Sequence, residues 1–98
     1  LKEYADEALA HVRALHRHYE ALDHDNAIRS LVRALAEAEA RIERASSAGL
    51  AAPRPYPQLA RPGRAWIKAG RYWIVYTTTH PPVIAGVFYD AADIPSRV

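Results

Sequence analysis

The chain has 98 residues, with 13 Lys and Arg against 11 Asp and Glu, half of its side chains hydrophobic, and no cysteine. A chain this short closes one hydrophobic core rather than two, so a single domain over 1–98 is expected, without a disulfide framework or a thiolate metal site. No apolar run is long enough for a membrane span or a signal-peptide core, and a soluble, cytoplasmic protein is the expectation.

The many alanines predict a thin core and stability gained on binding a partner. Methionine is absent even at position 1, which suggests that residues preceding Leu1 have been lost. Charge is unevenly placed: residues 1–50 hold seven basic and nine acidic side chains, residues 51–98 six and two. The basic half suits an acidic partner or nucleic acid.

In chain order, the first pattern is Ala8, Val12, Leu15, Tyr19 and Leu22, whose spacing by threes and fours makes one face of a helix opening at Ala5 or Asp6 and ending near Leu22. Asp23-His24-Asp25-Asn26 breaks the pattern and supplies capping residues, with His24 read as a cap or a surface residue. Ile28, Leu31, Val32, Leu35, Ala38, Ile42 and Ala45 then resume it in a longer helix that Gly49 stops. The short gap makes the pair an antiparallel hairpin. From Leu50 to Gly63, Pro53, Pro55, Pro57 and Pro62 exclude helix and central strand and leave an extended connector. Arg64 to Lys68, Arg71 to Thr79 and Val83 to Tyr89 are rich in β-branched and aromatic residues and read as a three-stranded antiparallel meander, followed by an irregular tail. The fold class is therefore α+β, a helical hairpin packed on an antiparallel sheet.

If Ala69-Gly70 is a two-residue hairpin loop, then Lys68 pairs with Arg71, Trp66 with Trp73 and Arg64 with Val75. Arg64, Trp66, Lys68, Arg71 and Trp73 would then form a basic, aromatic face, and Ile67, Tyr72, Ile74 and Tyr76 would pack on the helices. Such a face can stack bases and hold phosphates, or bury a partner's apolar helix while pairing with its carboxylates. A purely structural reading stands beside these, in which the tryptophans form a cross-strand pair shielding the sheet.

Catalytic alternatives are sparse. His11, His16 and His18 lack the i, i+4 spacing of a metal pair and read as solvated helix residues. No acids are paired for general acid/base work, since Asp90 and Asp93 follow the last strand, and no phosphate loop or nucleophile elbow exists. No metal or other cofactor is expected. An enzyme would have to work through Lys68, an arginine, Tyr89 or a histidine.

The order helix, helix, proline-containing connector and strands, with Trp66-Ile67-Lys68, Gly70-Arg71-Tyr72-Trp73-Ile74-Val75-Tyr76 and the ending Tyr89-Asp90-Ala91-Ala92-Asp93-Ile94-Pro95, resembles the RelE/ParE toxin superfamily over most of the chain. The resemblance implies the toxin half of a bacterial type II toxin–antitoxin pair, a hetero-oligomer in which the antitoxin's C-terminal segment wraps the hairpin and sheet. It also implies a short first strand, with Leu1 to Tyr4 as its remnant. RelE-like members cleave messenger RNA on the ribosome without a metal, using sheet lysines, arginines and a tyrosine or histidine. ParE-like members poison DNA gyrase without catalysis.

Lys68 matches a family lysine, but Trp73 stands where RelE-like proteins carry a strand arginine and Ala92 where the closing motif carries another. A nuclease would have to use Lys68 and Tyr89, with Arg64 and Arg71 as stand-ins. The depleted set favours the ParE-like reading, in which Arg64, Trp66, Lys68, Arg71, Trp73 and Tyr89 bind partners, with Arg97 carried over by position in the C-terminal region. The alternatives are the RelE-like nuclease and an inactive homologue that keeps antitoxin binding.

Overall fold

Local pattern decides the first half of the chain. The computed structural model describes residues 3–97. After a short strand β1 (Glu3–Tyr4), helix α1 runs over Asp6–Ala21 and α2 over Asp25–Arg44. Asp6 and Glu7 occupy the first turn of α1, where carboxylates complement the helix dipole. Asp23 takes a left-handed φ of 54° in the turn between the helices, a conformation that Asp tolerates better than most residues. His24 caps α2, its Nδ1 accepting from the Ala27 N–H at 3.1 Å.

Ala8, Leu31, Ala34, Ala38 and Ile42 form the buried helical side, with Val12, Leu15, Tyr19 and Leu35 packed against it. Leu22 and Val32, both expected on the apolar stripes, are exposed instead, each at 60%. Helix α2 stops at Arg44, ahead of the expected Gly49, and a single 3-10 turn fills Ser46–Ala48.

The strands are β2 (Arg64–Ala69), β3 (Tyr72–Thr77) and β4 (Val83–Tyr89). They form the antiparallel meander, and β1 joins parallel to β4, with Glu3 opposite Val83 and Tyr4 opposite Ile84. The result is a four-stranded mixed sheet in the order β1-β4-β3-β2. The helical hairpin, the sheet and the short N-terminal strand are thus as expected, except that Leu1 and Lys2 of that strand lie outside the described residues.

The β2–β3 register is shifted by two residues from the expectation, which keeps the side chains on their expected faces. Lys68 pairs with Trp73, Trp66 with Val75 and Arg64 with Thr77, so Gly70-Arg71 makes the loop. Gly70 at φ 58° supplies its left-handed turn. Arg71 is consequently a turn residue and not a sheet-face residue. Ile67, Tyr72, Ile74 and Tyr76 do face the helices. In β4 an irregularity between the partners of Val75 and Tyr76 places Ile84 on the helical side and leaves Ala85 and Gly86 toward the other.

The expectation of an open basic, aromatic face is overturned. Trp66 and Trp73 are each only 3% exposed, packed with Leu59, Val75, Phe88 and Ile94 beneath the proline-rich connector and the tail. The connector cannot be helix or central strand, so it lies across the sheet as an irregular cover, pinned at its start where Leu50 and Trp66 exchange two backbone hydrogen bonds of 2.7 Å. Arg54 sits over the Trp73 ring at 5.9 Å. The tryptophans shield the sheet, although not as a mutual cross-strand pair.

Under that cover Gly86 is a close-approach position, because a Cβ there would lie 2.8 Å from the Phe88 ring and 3.0 Å from Val75 Cγ1. Gly86→Ala is expected to destabilise the fold by about 1–3 kcal/mol through overpacking, read as a lowered urea midpoint at unchanged m-value.

Candidate functional site

The antiparallel helices do not close over the end of the sheet that carries the Gly70-Arg71 turn. A cleft of about 1090 Å³ lies there between α1, α2, the turn and the tail. On the α1 side it is lined by His11, Leu15, His18, Tyr19 and Leu22, and on the α2 side by Ala27, Ser30, Arg33 and Glu37. The sheet end supplies Arg71, Tyr72 and Tyr89, and the tail Ala92 and Arg97. Its walls are apolar and aromatic and its charge is mostly positive. Glu37 contributes the one carboxylate of the described lining, and it already pairs with Arg41 at 3.2 Å.

Two polar joints tie α1 to the sheet at this cleft. The hydroxyls of Tyr19 and Tyr72 lie 2.6 Å apart, and Tyr72 packs edge-on to Tyr89 at 5.9 Å. Burial, reinforced by the Tyr19 hydroxyl, holds the Tyr72 phenol well above its usual range, so it remains protonated and does not serve as a base near neutral pH. At the second joint the Val87 N–H donates to His11 Nδ1 at 3.2 Å. His11 is half-buried, and desolvation keeps its pKa below the ordinary histidine value, with Glu7 opposing the shift and Arg97 adding to it. It is therefore not the solvated helix residue that its sequence neighbourhood suggested.

The sequence-derived site residues separate into four places. Arg71, Tyr89 and Arg97 meet at the cleft. Lys68 lies on the other face of the sheet, half-exposed, where its Nζ pairs with the Asp90 carboxylate at 3.2 Å and its carbonyl accepts from Arg41 at 2.7 Å. Arg64 opens β2 at the end opposite the turn, roughly 20 Å from Gly70 at the usual rise of a strand. Trp66 and Trp73 are buried, and the Trp66 Nε1 has no hydrogen-bond partner among the described residues. Arg64 and Arg71 thus cannot stand in together for two cations at one phosphate.

Sequence reasoning missed His11, Tyr19, Tyr72 and Arg33 as cleft residues. A signal did exist for His11, which sits three residues after Ala8 and four before Leu15, at the margin of the apolar stripe. Among the described residues no group of histidines and carboxylates could hold a metal ion, and no helix is long and apolar enough to cross a membrane. No family model matches the chain, and neither does any curated protein.

The Tyr19–Tyr72 joint has a measurable signature. Tyr19→Phe and Tyr72→Phe should each cost about 0.5–1.5 kcal/mol, and the double variant should cost clearly less than the sum, because either single change already removes the shared bond. Urea unfolding of the four proteins in a double-mutant cycle provides the check.

Proposed function

We propose that this chain is the ParE-like toxin of a type II toxin–antitoxin pair, which binds a cognate antitoxin and, when free, inhibits DNA gyrase by binding it, with no catalysis of its own. The family-like order of helices, connector and strands supports the class. The cleft supports an acidic partner, since Arg33, Arg71 and Arg97 reach it with no ion pair of their own among the described residues. Its exposed Leu22, with Leu15 and Tyr19, suits the apolar face of an amphipathic helix.

Binding rather than cleavage is favoured by one observation, the dispersal of the candidate nuclease groups. Cleaving RNA without a metal needs a base beside the 2′-hydroxyl and cations converging on one phosphate. Lys68 is neutralised by Asp90 behind the sheet, Arg64 is at the far end of β2, and the positions of the two family arginines hold the buried Trp73 and Ala92.

The direct test is gyrase supercoiling with increasing amounts of the protein, with and without the product of its neighbouring gene. Inhibition with trapped cleaved DNA, relieved by that product, is expected. No effect at a large molar excess rejects gyrase as the target, and ribosome-dependent messenger RNA cleavage abolished by Lys68→Ala or Tyr89→Phe would replace this reading with the RelE-like one. For the antitoxin, the double variant Arg71→Glu, Arg97→Glu should weaken binding at least tenfold, or about 1.4 kcal/mol, in a calorimetric titration, while changing thermal stability little because both residues are exposed.

A further inference from the structure

Strand β4 is only partly covered along its outer edge. β1 pairs with Val83 and Ile84, and the Ala5 N–H adds a bond to the Ile84 carbonyl at 2.8 Å. Farther along, Val87 is 2% exposed, so its outward N–H cannot turn to water and would be an orphaned donor without a side-chain acceptor. His11 from α1 is that acceptor, at 3.2 Å, and its ring packs on Phe88 at 4.7 Å. An N–H can be accepted only by an imidazole nitrogen with a free lone pair, so this bond requires Nδ1 to be unprotonated.

We propose that His11 is a proton-operated latch between α1 and the edge of β4: neutral, it holds α1 against the sheet along the cleft, and protonated, it lets that wall of the cleft come away. Protonation places a donor against the Val87 donor, which leaves a buried N–H unpaired, and it creates an imidazolium in a partly desolvated position near Arg97. Glu7, one turn earlier on α1, favours the cation but does not outweigh burial. The remaining ionisable groups around the cleft are Arg71, Tyr72 and Tyr89 from the sheet, His18 and Tyr19 from α1, and Arg33 with the already paired Glu37 from α2, the last with His24 at its start. The arginines oppose a further positive charge.

The sign of the effect follows from linkage. Folded His11 holds its proton less tightly than it does with α1 released, so the released state binds more protons below a pH of about 6.5. The latch is fully closed above that pH and loosens as pH falls through the lowered folded value. Of the side-chain hydrogen bonds that join α1 to the sheet among the described residues, the other is Tyr19–Tyr72, where burial raises the Tyr72 pKa and so keeps that phenol protonated throughout this range. Acid therefore acts on one joint and spares the other. The latch is a property of the fold and stands whatever occupies the cleft.

The experiment is amide hydrogen exchange by NMR on the full chain from pH 7.5 to 5.0, expressed as protection factors, with the His11 ring protons followed in the same samples. Protection at Val87 is expected to fall by up to about tenfold per pH unit as His11 titrates, while Val75 in the centre of the sheet stays protected. His11→Asn, whose Oδ1 keeps an acceptor that does not titrate, should give Val87 protection independent of pH, and His11→Ala should give low protection at every pH. A flat Val87 profile while His11 titrates would overturn the latch. So would an unchanged acid fall in His11→Asn, or loss of protection at Val75 in parallel, which would mean global unfolding.

Discussion

Everything in this fold depends on strand β3. Five successive side chains, Tyr72 to Tyr76, are at most 3% exposed, which an alternating strand achieves only if both faces of its sheet are covered. The helical hairpin covers one face with Ala34, Ala38, Leu31 and Ile42, small and branched side chains that let α2 approach closely. Neither α1 nor α2 contributes a residue to the buried cluster on the other face. The proline-rich connector fills that place, with Leu59 and Tyr56 laid over the tryptophans and Ile94 of the tail closing the edge. On the helical side the Tyr76 hydroxyl donates to the Ser46 carbonyl at 2.5 Å and fastens the turn that precedes the connector to the sheet.

Because neither sheet face is free, the available binding surface moves to the end of the sheet and to the opening between the helices. There the chain brings together Arg33, Arg71 and Arg97, which have no ion pair among the described residues, with His11 and the tyrosines Tyr19, Tyr72 and Tyr89. The same geometry sets Lys68 and Arg64 apart from that group, Lys68 by its place on the face of β2 opposite the helices and Arg64 by the length of β2. A surface of this kind is arranged to hold an acidic, amphipathic partner by complementarity. It is poorly arranged to converge several cations on one reacting phosphate.

Burial also sorts the ionisable groups by what they can do. The phenols of Tyr72 and Tyr4 are both raised by desolvation, with Tyr19 and Glu39 as their hydrogen-bond partners, and so stay protonated near neutral pH. His11 is shifted the opposite way, toward the neutral form, since burial penalises whichever form carries charge. One joint between α1 and the sheet is thereby insensitive to physiological pH and the other responsive to it.

The sequence by itself determined the elements: the two helices from three- and four-residue spacing, the break between them from Asp23-His24-Asp25-Asn26, the connector from its prolines, and the bounds of β4 to the residue. Those signals are local, because dihedral preferences and face periodicity are set by neighbours in the chain. It also placed Ile67, Tyr72, Ile74 and Tyr76 correctly on the helical side, because the parity of a strand survives an error in loop position. Tertiary structure alone decided that Gly70-Arg71 forms the loop, that Trp66 and Trp73 are covered, and that Asp90 neutralises Lys68. It alone decided, too, that His11 reaches across to Val87 and that Arg33, Arg71 and Arg97 share a cleft. Each of these joins groups far apart in the chain, and an exposed and a covered aromatic strand have the same alternation until the element that covers one of them is in place.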